Sequence, residues 1–297
     1  MNSNSELRSS RLSEIKILTD SSAQLTPEEI EKYHITVVPL SVTVGGKTYL
    51  DGVEITRQEF VEKMSQAEDL PKTSQPPIGR LVDTIKDLTA DGSEVVGIFL
   101  AKALSGTVDA ARQAVELSGK SDLVHVVDSE LTDRAEGLQV LAAARDVAAG
   151  KQVPEILTHL ENIKKTQRLR MMIVNLENVI KGGRLGPISG KIANLLNIRI
   201  ELQMPHGELK VAKKGRGKKF TMAFDQRVLD DIEANKEKIK EVGISYVSLN
   251  GVPQRLLDFA QKIKDINSKI DVLVRETSPI IATHAGMDAY AILYYTE

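Results

Sequence analysis

The sequence predicts an α/β fold with two domains, an N-terminal, mostly parallel sheet flanked by helices and a C-terminal mixed α+β domain. From Ile15 onward, short β-rich runs alternate with longer amphipathic segments, which is typical of βαβ units and a parallel sheet. The chain has 297 residues, a length that favours two domains. With 41% apolar residues it can bury an ordinary core without covalent cross-links.

Four strand candidates alternate with helical stretches in the first half of the chain. They are IKILTD, ITVVPLSVTV, EVVGIFLA and LVHVVD. Gly45-Gly46 lies between two alternating segments and predicts a tight hairpin turn. We expect a disordered tail at residues 1–13 and an N-terminal domain over residues 14–150, which ends after a long helical stretch.

Residues 151–297 are expected to form the C-terminal domain. A helix follows Pro154, and the segment IRIELQMPHGELKVAKK predicts two antiparallel strands around His206-Gly207. GISYVSL and KIDVLVRET predict two further strands, with a helix from Pro253 between them. The last segment predicts a loop that holds His284 and then a terminal apolar strand, which returns the chain toward a cleft between the domains.

The charge balance and the lack of cysteine exclude several classes of function. With 39 basic and 41 acidic residues the formal net charge is -2, so no global field recruits nucleic acid or an acidic membrane. The chain contains no Cys, which excludes disulfides, thiolate metal ligands and a Cys nucleophile. The polar N-terminal stretch lacks the apolar core of a signal peptide, and no apolar run reaches the length of a membrane span. We therefore expect a cytoplasmic protein.

Small hydroxyl side chains recur directly after the strand candidates, where ligands bind in an open parallel sheet. Taken singly, each Ser or Thr is explained as a helix N-cap. Taken together, hydroxyl groups and helix N-termini that converge from several loops form a site for a carboxylate or a phosphate. The loops concerned are Asp20-Ser21-Ser22, Thr73-Ser74-Gln75-Pro76-Pro77, Ser105-Gly106-Thr107 and Asp128-Ser129.

The best-known enzyme motifs are absent from the sequence. There is no G-x-S-x-G elbow, no Walker A sequence, no H-E-x-x-H and no G-x-G-x-x-G fingerprint. The five histidines lack metal-ligand spacing, so neither a metal nor a cofactor is expected. His284, in the predicted loop Thr-His-Ala-Gly-Met-Asp, is either a solvated surface residue or a group that donates to a bound anion or acts as an acid.

Two basic segments are open to more than one interpretation. Lys181-Gly182-Gly183-Arg184 is either a helix C-cap, with glycines at positive φ, or a loop whose exposed Arg meets a phosphate or an acidic partner. The run from Lys213 to Lys219 is most simply a solvated exit from a hairpin, and no role is assigned to it.

The loop motifs occur in an order that resembles the DegV family, from about Ile15 to Glu297. They are Thr-Asp-Ser-Ser, Thr-Ser-Gln-Pro, Leu-Ser-Gly-Thr, Val-Asp-Ser, Lys-Gly-Gly-Arg and Thr-His-Ala-Gly. The resemblance implies a fatty acid enclosed between the two domains and a role as the lipid-binding subunit of bacterial fatty acid kinase. It also implies that a separate kinase subunit supplies ATP and phosphorylates the bound acid.

The resemblance further implies a role for individual residues. It implies that Thr73, Ser105 and His284 hold the carboxylate and that Arg184 engages the kinase subunit. The head-group neighbours expected on this basis are Ser74, Gly106, Thr107, Asp20, Ser21 and Ser129. The chain departs from the family pattern at Glu130-Leu131, where another Ser often follows, and at Gly286-Met287, where Gly-Pro is frequent.

Three hypotheses follow for the function. In the first, the protein is a fatty-acid carrier without catalytic residues of its own, with transient membrane contact for lipid exchange. Burying roughly fifteen methylenes would contribute at most about 12 kcal/mol, so the tail would supply affinity and the polar groups would select an acid. In the second, a stand-alone hydrolase or acyltransferase uses Ser105 with His284. In the third, the fold is kept but the ligand is another apolar acid, sterol-like or short-chain.

Overall fold

The computed structural model of the chain describes residues 14–186 and 197–297, so the predicted tail at residues 1–13 lies outside the described residues. The strands in the described residues are β1 (Ile15–Asp20), β2 (Thr36–Val38), β3 (Ser41–Val44), β4 (Lys47–Leu50), β5 (Lys72–Ser74), β6 (Glu94–Phe99), β7 (Val124–Asp128), β8 (Arg168–Ile173), β9 (Ile198–Gln203), β10 (Lys210–Arg216), β11 (Glu241–Tyr246), β12 (Asp271–Glu276) and β13 (Tyr290–Tyr294). The α-helices are α1 (Pro27–Tyr33), α2 (Arg57–Gln66), α3 (Ile78–Leu88), α4 (Thr107–Ser118), α5 (Asp133–Ala148), α6 (Val153–Thr166), α7 (Leu176–Lys181), α8 (Gly217–Ala234), α9 (Gln254–Ile266) and α10 (Pro279–Ala285).

The N-terminal half forms a parallel sheet in the order β2-β1-β6-β7, covered by helices on both faces. Ile17 packs in one buried cluster with Val140 of α5, whereas Leu18 packs in another with Leu81 of α3 and Val108 of α4. Both faces of such a sheet exclude water, which explains the continuous apolar runs of β1 and β6. The predicted parallel architecture of this half is confirmed.

Helix α6 follows the predicted domain boundary at Gly150. Its side chains Ile156 and Leu160 are buried in the same cluster as Ile17 of β1. These contacts assign α6 to the core of the N-terminal sheet, although the boundary itself stays a prediction.

The candidate strand ITVVPLSVTV is divided between two sheets. Its first part, β2, pairs with β1 in the parallel sheet, whereas β3 pairs with β4 and β5 in a separate antiparallel sheet of three strands. The prediction of a single strand is wrong at Pro39, because proline has no N–H to donate to a ladder. The hairpin predicted at Gly45-Gly46 is confirmed, and both glycines adopt the positive φ that the turn requires, 58° and 76°.

The C-terminal half forms a mixed sheet in the order β10-β9-β8-β13-β11-β12, in which only β11 and β12 are parallel neighbours. The antiparallel pair predicted around His206-Gly207 is confirmed as β9 and β10, with a register shift between Val211 and Lys213. The predicted terminal strand is confirmed as β13, and all five of its residues are buried. The last strand of the chain therefore lies in the interior of the sheet.

Helix α5 packs between the two large sheets, since it contacts β1 and β6 on one side and β11 and β13 on the other. Gly137 allows the close approach, because a Cβ there would lie 2.0 Å from the carbonyl oxygen of Ala23. At the start of the helix, the buried carboxyl of Asp133 accepts hydrogen bonds from Ser245 at 2.7 Å and from Thr277 at 2.9 Å. These bonds join the N-terminal half to the C-terminal sheet.

Candidate functional site

A cavity of about 350 Å³ lies where the three-stranded sheet, the loop after β6 and the C-terminal sheet meet. Its wall is mostly apolar, and β8 and β9 supply a large part of it. The side chains from these two strands and the residue after β9 are Leu169, Met171, Ile173, Leu202 and Met204. Polar side chains reach the cavity from β5, from the loop before α4, from the end of α7 and from α10. They include Thr73, Ser74, Gln75, Ser105, Arg184 and His284.

Thr73 and His284 meet at this cavity, and neither lies in the predicted loop. Thr73 is the middle residue of β5 and pairs with Val42 of β3. His284 lies in the last turn of α10, so the prediction of a loop is wrong. Helix α10 begins because Ser278 caps the N–H of Ile281 and Pro279 has a φ suited to a first turn. With seven residues it is too short for a periodic pattern to reveal.

The imidazole of His284 is neutral near pH 7. Burial, aided by the nearby cation of Arg184, lowers its pKa to about 4. Its Nε2 lies 3.0 Å from Oγ1 of Thr73, while Nδ1 is buried without a hydrogen-bond partner among the described residues. A neutral imidazole has one donor and one acceptor nitrogen, and Nε2 is the nitrogen that faces a polar group at the cavity.

Gly182 packs directly against this ring. A Cβ on Gly182 would lie 2.6 Å from Nδ1 of His284 and 2.7 Å from the carbonyl oxygen of Asn178. Gly182 itself is right-handed helical, with φ -67° and ψ -14°, and only Gly183 has the positive φ expected for both glycines. Gly182 is the C-cap residue of α7, so the helix-cap interpretation is confirmed, but the positive φ expected at Gly182 is wrong. A glycine is required at this position because His284 occupies the space that a Cβ would take.

Ser105 lies in the loop that leads into α4. Its Oγ is 2.9 Å from Oγ1 of Thr107 and accepts a hydrogen bond from the Thr107 N–H at 3.3 Å. Gly106 follows at the N-cap of α4, and a Cβ there would lie 2.1 Å from Oε1 of Gln75. The Gln75 carboxamide thus lies against the loop that presents Ser105. Sequence analysis included Gln75 in a loop motif but assigned it no place at the site.

Arg184 lines the same cavity and links two of its segments. Its Nε donates to the carbonyl oxygen of Leu104 at 3.2 Å, and its Nη1 donates to that of Gly182 at 2.8 Å. The side chain is partly buried, and desolvation lowers its pKa. The guanidinium thereby fixes the loop before Ser105 relative to the end of α7, beside His284.

Four of the predicted head-group neighbours do not line the cavity. Asp20 is buried and accepts from the N–H groups of Ser22 at 2.8 Å and Leu100 at 3.0 Å, and burial raises its pKa. Ser21 donates to Asp51 at 2.7 Å, Ser129 donates to the carbonyl oxygen of Leu131 at 2.9 Å, and Thr107 bonds to Ser105. These groups stabilise the loops, whereas Ser74 and Gly106 contribute to the lining itself.

Thr132 is a lining residue that sequence analysis did not place at the site. It is 3% exposed, and its Oγ1 has no hydrogen-bond partner among the described residues. The apolar wall was missed as well, although Leu169, Met171 and Ile173 recur at every second position. That spacing places them on one face of β8 and was available in the sequence.

Within residues 14–186 and 197–297, no group of three or more His, Asp or Glu side chains is placed to hold a metal ion. None of the helices described is both long enough and apolar enough to cross a bilayer. The polar groups at the cavity are hydroxyls, an amide, an imidazole and one guanidinium, a set suited to hydrogen bonding an anion.

Comparison with known proteins identifies the family. Residues 14–297 match the sequence profile described as an uncharacterised protein of the DegV family. A DegV domain-containing protein of Streptococcus pneumoniae is 39% identical over 287 residues, which cover 95% of this chain and 98% of the relative. The crystal structure of DegV from Bacillus subtilis, described as a fatty acid binding protein, aligns with a TM-score of 0.86 and 27% identity over 96% of this chain and all of that one.

A more distant structure has the same fold. The fatty acid kinase B3 protein of Streptococcus pneumoniae, solved loaded with linoleic acid, aligns with a TM-score of 0.77 over 95% of this chain and 99% of that one. At 19% identity this likeness shows the fold alone. The match of residues 14–297 to the family profile and the identity to the curated relative agree with each other. The chain belongs to the DegV family.

Proposed function

We propose that this protein binds a long-chain fatty acid in the cavity and presents its carboxylate to a separate kinase subunit, which phosphorylates it to an acyl phosphate. The observation that carries the proposal is the division of the lining. Apolar side chains of β8 and β9 form much of the cavity wall, and Thr73, Ser105 and His284 supply hydrogen-bonding groups at the same cavity. That combination fits an apolar chain with one charged end.

The two parts of the ligand would contribute differently to affinity. Each buried methylene contributes about 0.8 kcal/mol, so a long tail dominates the free energy of binding. Each hydrogen bond to the charged carboxylate adds only about 1.5–3 kcal/mol. The tail therefore supplies affinity, while the polar groups fix the position of the carboxylate and discriminate against neutral lipids.

The electrostatics of the site are compatible with an anion. His284 is neutral because its pKa is lowered to about 4, and a carboxylate beside it would raise that pKa again. Arg184 contributes the one formal positive charge in the described lining. The carboxylate would thus meet a cation and several hydrogen-bonding groups without a preformed ion pair that it must break.

Transfer of phosphate is assigned to the separate subunit for two reasons. The sequence has no Walker A motif, and a protein with the same fold, the fatty acid kinase B3 protein, is named for a kinase system. We propose a cytoplasmic location for this chain, where ATP is available to the kinase subunit. Transient contact with a membrane would serve for exchange of the lipid.

The alternative of a stand-alone hydrolase or acyltransferase is less consistent with the geometry. Nε2 of His284 pairs with Thr73, and Oγ of Ser105 pairs with Thr107, so the two are not hydrogen-bonded to each other. Nδ1 of His284 meets no carboxylate among the described residues. A Ser-His pair would need both interactions to activate the serine.

Native mass spectrometry of the recombinant protein tests the proposal. We expect a co-purified fatty acid, and we expect Ser105→Ala combined with His284→Gln to reduce its amount while Ser65→Ala, at an exposed position on α2, leaves it unchanged. A protein that is empty and also fails to bind added long-chain acids would contradict the proposal. Hydrolysis of acyl esters without a partner, abolished by Ser105→Ala, would support the alternative.

A further inference from the structure

An exposed basic surface lies outside the cavity, and the proposed function leaves it without a role. It consists of Lys213, Lys214 and Arg216 of β10 and Lys218 and Lys219 in the first turn of α8. All five side chains are exposed, and they form no ion pair with the residues that the structure describes. The neighbouring acid Glu208 is occupied by Lys210, at 2.8 Å. With a net charge of -2 for the whole chain, this surface is a local concentration of positive charge.

Part of this charge has a structural explanation. Strand β10 is an edge of the six-stranded sheet, and lysines on an edge strand prevent pairing with the edge of another molecule. That explanation covers Lys213 and Lys214. It does not cover Lys218 and Lys219, which lie on a helix with no free edge.

The strand and the helix form one continuous surface. Gly215 of β10 packs against the ring of Phe220 of α8 so closely that a Cβ on Gly215 would lie 2.2 Å from Cδ2 of the ring. The cations on either side of this contact are therefore held together by the fold. Their arrangement does not depend on a flexible tail.

An exposed apolar side chain accompanies the cations. Met222 is 67% exposed and lies one helical turn after Lys218 and Lys219. Lysines around an accessible apolar side chain are typical of a surface that lies at the interface of a membrane, with the cations at the head groups and the apolar group between them.

The basic surface is also joined to the wall of the cavity. Strand β10 pairs with β9, which supplies Leu202 to the lining, and Leu209, directly before β10, lines the cavity as well. The hairpin of β9 and β10 therefore supplies Leu202 to the cavity wall and also carries the cations of β10. A lipid that enters or leaves near this hairpin would do so beside the basic surface.

We propose that the basic surface docks the protein on an anionic membrane surface, where the cavity exchanges its lipid. This inference rests on the proposed function, because it concerns the source of the same ligand. Four of the five cations are lysines, whose flexible point charges suit mobile lipid head groups better than the paired carboxylates of a protein, for which Arg is favoured. Each cation near such a surface strengthens partitioning by about fivefold.

Vesicle co-sedimentation of the full chain tests the docking. Vesicles of phosphatidylcholine alone are compared with vesicles in which part of it is replaced by phosphatidylglycerol. We expect wild-type protein to bind the anionic vesicles only and to be released by salt. We expect the variant K213Q/K214Q/K218Q/K219Q to bind them more weakly by about tenfold or more, and Met222→Ser to weaken binding as well.

The matched control removes the same number of charges elsewhere. Lys86, Lys238, Lys262 and Lys269 are exposed and lie outside the basic surface. The variant K86Q/K238Q/K262Q/K269Q should bind anionic vesicles as the wild type does. Equal losses in both variants, or equal binding of wild type to neutral and anionic vesicles, would overturn the proposal. So would normal vesicle binding by the basic-surface variant together with a defect confined to the kinase step, since that result assigns the surface to a protein partner.

Loading with fatty acid from vesicle-free solution separates this proposal from the proposed function. The basic-surface variant should load as the wild type does, which also shows that it folds. A wild-type protein that binds anionic vesicles but takes up no fatty acid would contradict the proposed function and leave the membrane surface standing. A protein that loads normally but does not bind anionic vesicles would contradict the membrane docking and leave the proposed function standing.

Discussion

Nε2 of His284 lies 3.0 Å from Oγ1 of Thr73, and 211 positions separate the two residues in the chain. One comes from the three-stranded sheet near the start of the protein and the other from the helix before the last strand. Their contact at the cavity means that a change on either side alters the same group of hydrogen bonds.

Removing the Thr73 hydroxyl should weaken fatty-acid binding. Thr73→Val retains the shape of the side chain but loses one hydrogen bond to a charged carboxylate, which is equivalent to about 1.5–3 kcal/mol, or about ten- to a hundredfold in Kd. Isothermal titration calorimetry with a long-chain acid measures the change. Thr43→Val, on the neighbouring strand β3 and outside the lining, is the control and should leave Kd unchanged. Comparable losses in both variants would contradict the assignment.

His284 should make the protein less stable in acid. Its pKa is about 4 when folded and near 6.5 in the unfolded chain, so between these values only the unfolded state binds the proton. Stability from this group is present above pH 6.5 and is lost as the pH falls toward 4, by roughly 3 kcal/mol in total. Urea unfolding of wild type and His284→Asn from pH 7 to pH 4 isolates this contribution as the difference between them.

The comparison with His284→Asn is needed because another buried group acts in the opposite direction. Burial raises the pKa of Asp51 to about 7, so its contribution to stability grows as the pH falls from 7 toward 4. The contribution of Asp51 is present in both wild type and His284→Asn, so it cancels in the difference between them. A difference that stays constant with pH would show that His284 titrates normally in the fold.

Gly182→Ala should displace the imidazole. The new Cβ would lie 2.6 Å from Nδ1 of His284, so the ring or the end of α7 must shift. We expect destabilisation by about 1–3 kcal/mol, as for other overpacked sites, together with weaker binding of the acid. Thermal unfolding and calorimetry measure the two effects. Gly79→Ala is the control, because its Cβ meets nothing within 4 Å, and it should cause neither.

Arg184→Ala should separate binding from phosphorylation. The tail supplies most of the affinity, so the variant should still load with fatty acid. Phosphorylation by the kinase subunit should fall by about tenfold or more, because we propose that the guanidinium contacts that partner. The assay compares loading and acyl phosphate formation in the same preparations. Arg80→Ala, an exposed arginine on α3, should affect neither. Equal loss of loading and phosphorylation in Arg184→Ala would contradict the proposed division of roles.

Local pattern was sufficient for much of the fold. The period-two alternation and the Gly45-Gly46 turn identified the hairpin, and the apolar run at Tyr290–Tyr294 identified the last strand. The predictions that were wrong concern features that depend on contacts between distant segments. The short helix at His284 is stabilised by its cap and its burial, neither of which a periodic pattern contains.

At the site as well, some positions could be predicted from the sequence, whereas others depend on tertiary packing. Thr73, Ser105 and His284 lie around one cavity, in agreement with the family resemblance. Asp20 is the last residue of β1 and Ser129 follows β7, so both lie at the carboxyl end of the parallel sheet, yet their polar groups form hydrogen bonds within the loops. Which of several loop hydroxyls face a cavity depends on packing that no spacing in the sequence records.

The carboxyl of Asp133 has a consequence for the route by which a ligand enters and leaves. Its two hydrogen bonds, to Ser245 and Thr277, cross the seam between the halves of the molecule, and its burial raises its pKa. Separating the halves would strip a buried carboxyl of both donors, at about 1–3 kcal/mol for each unsatisfied group. A route of entry that leaves both of these hydrogen bonds intact is therefore less costly than one that separates the two halves.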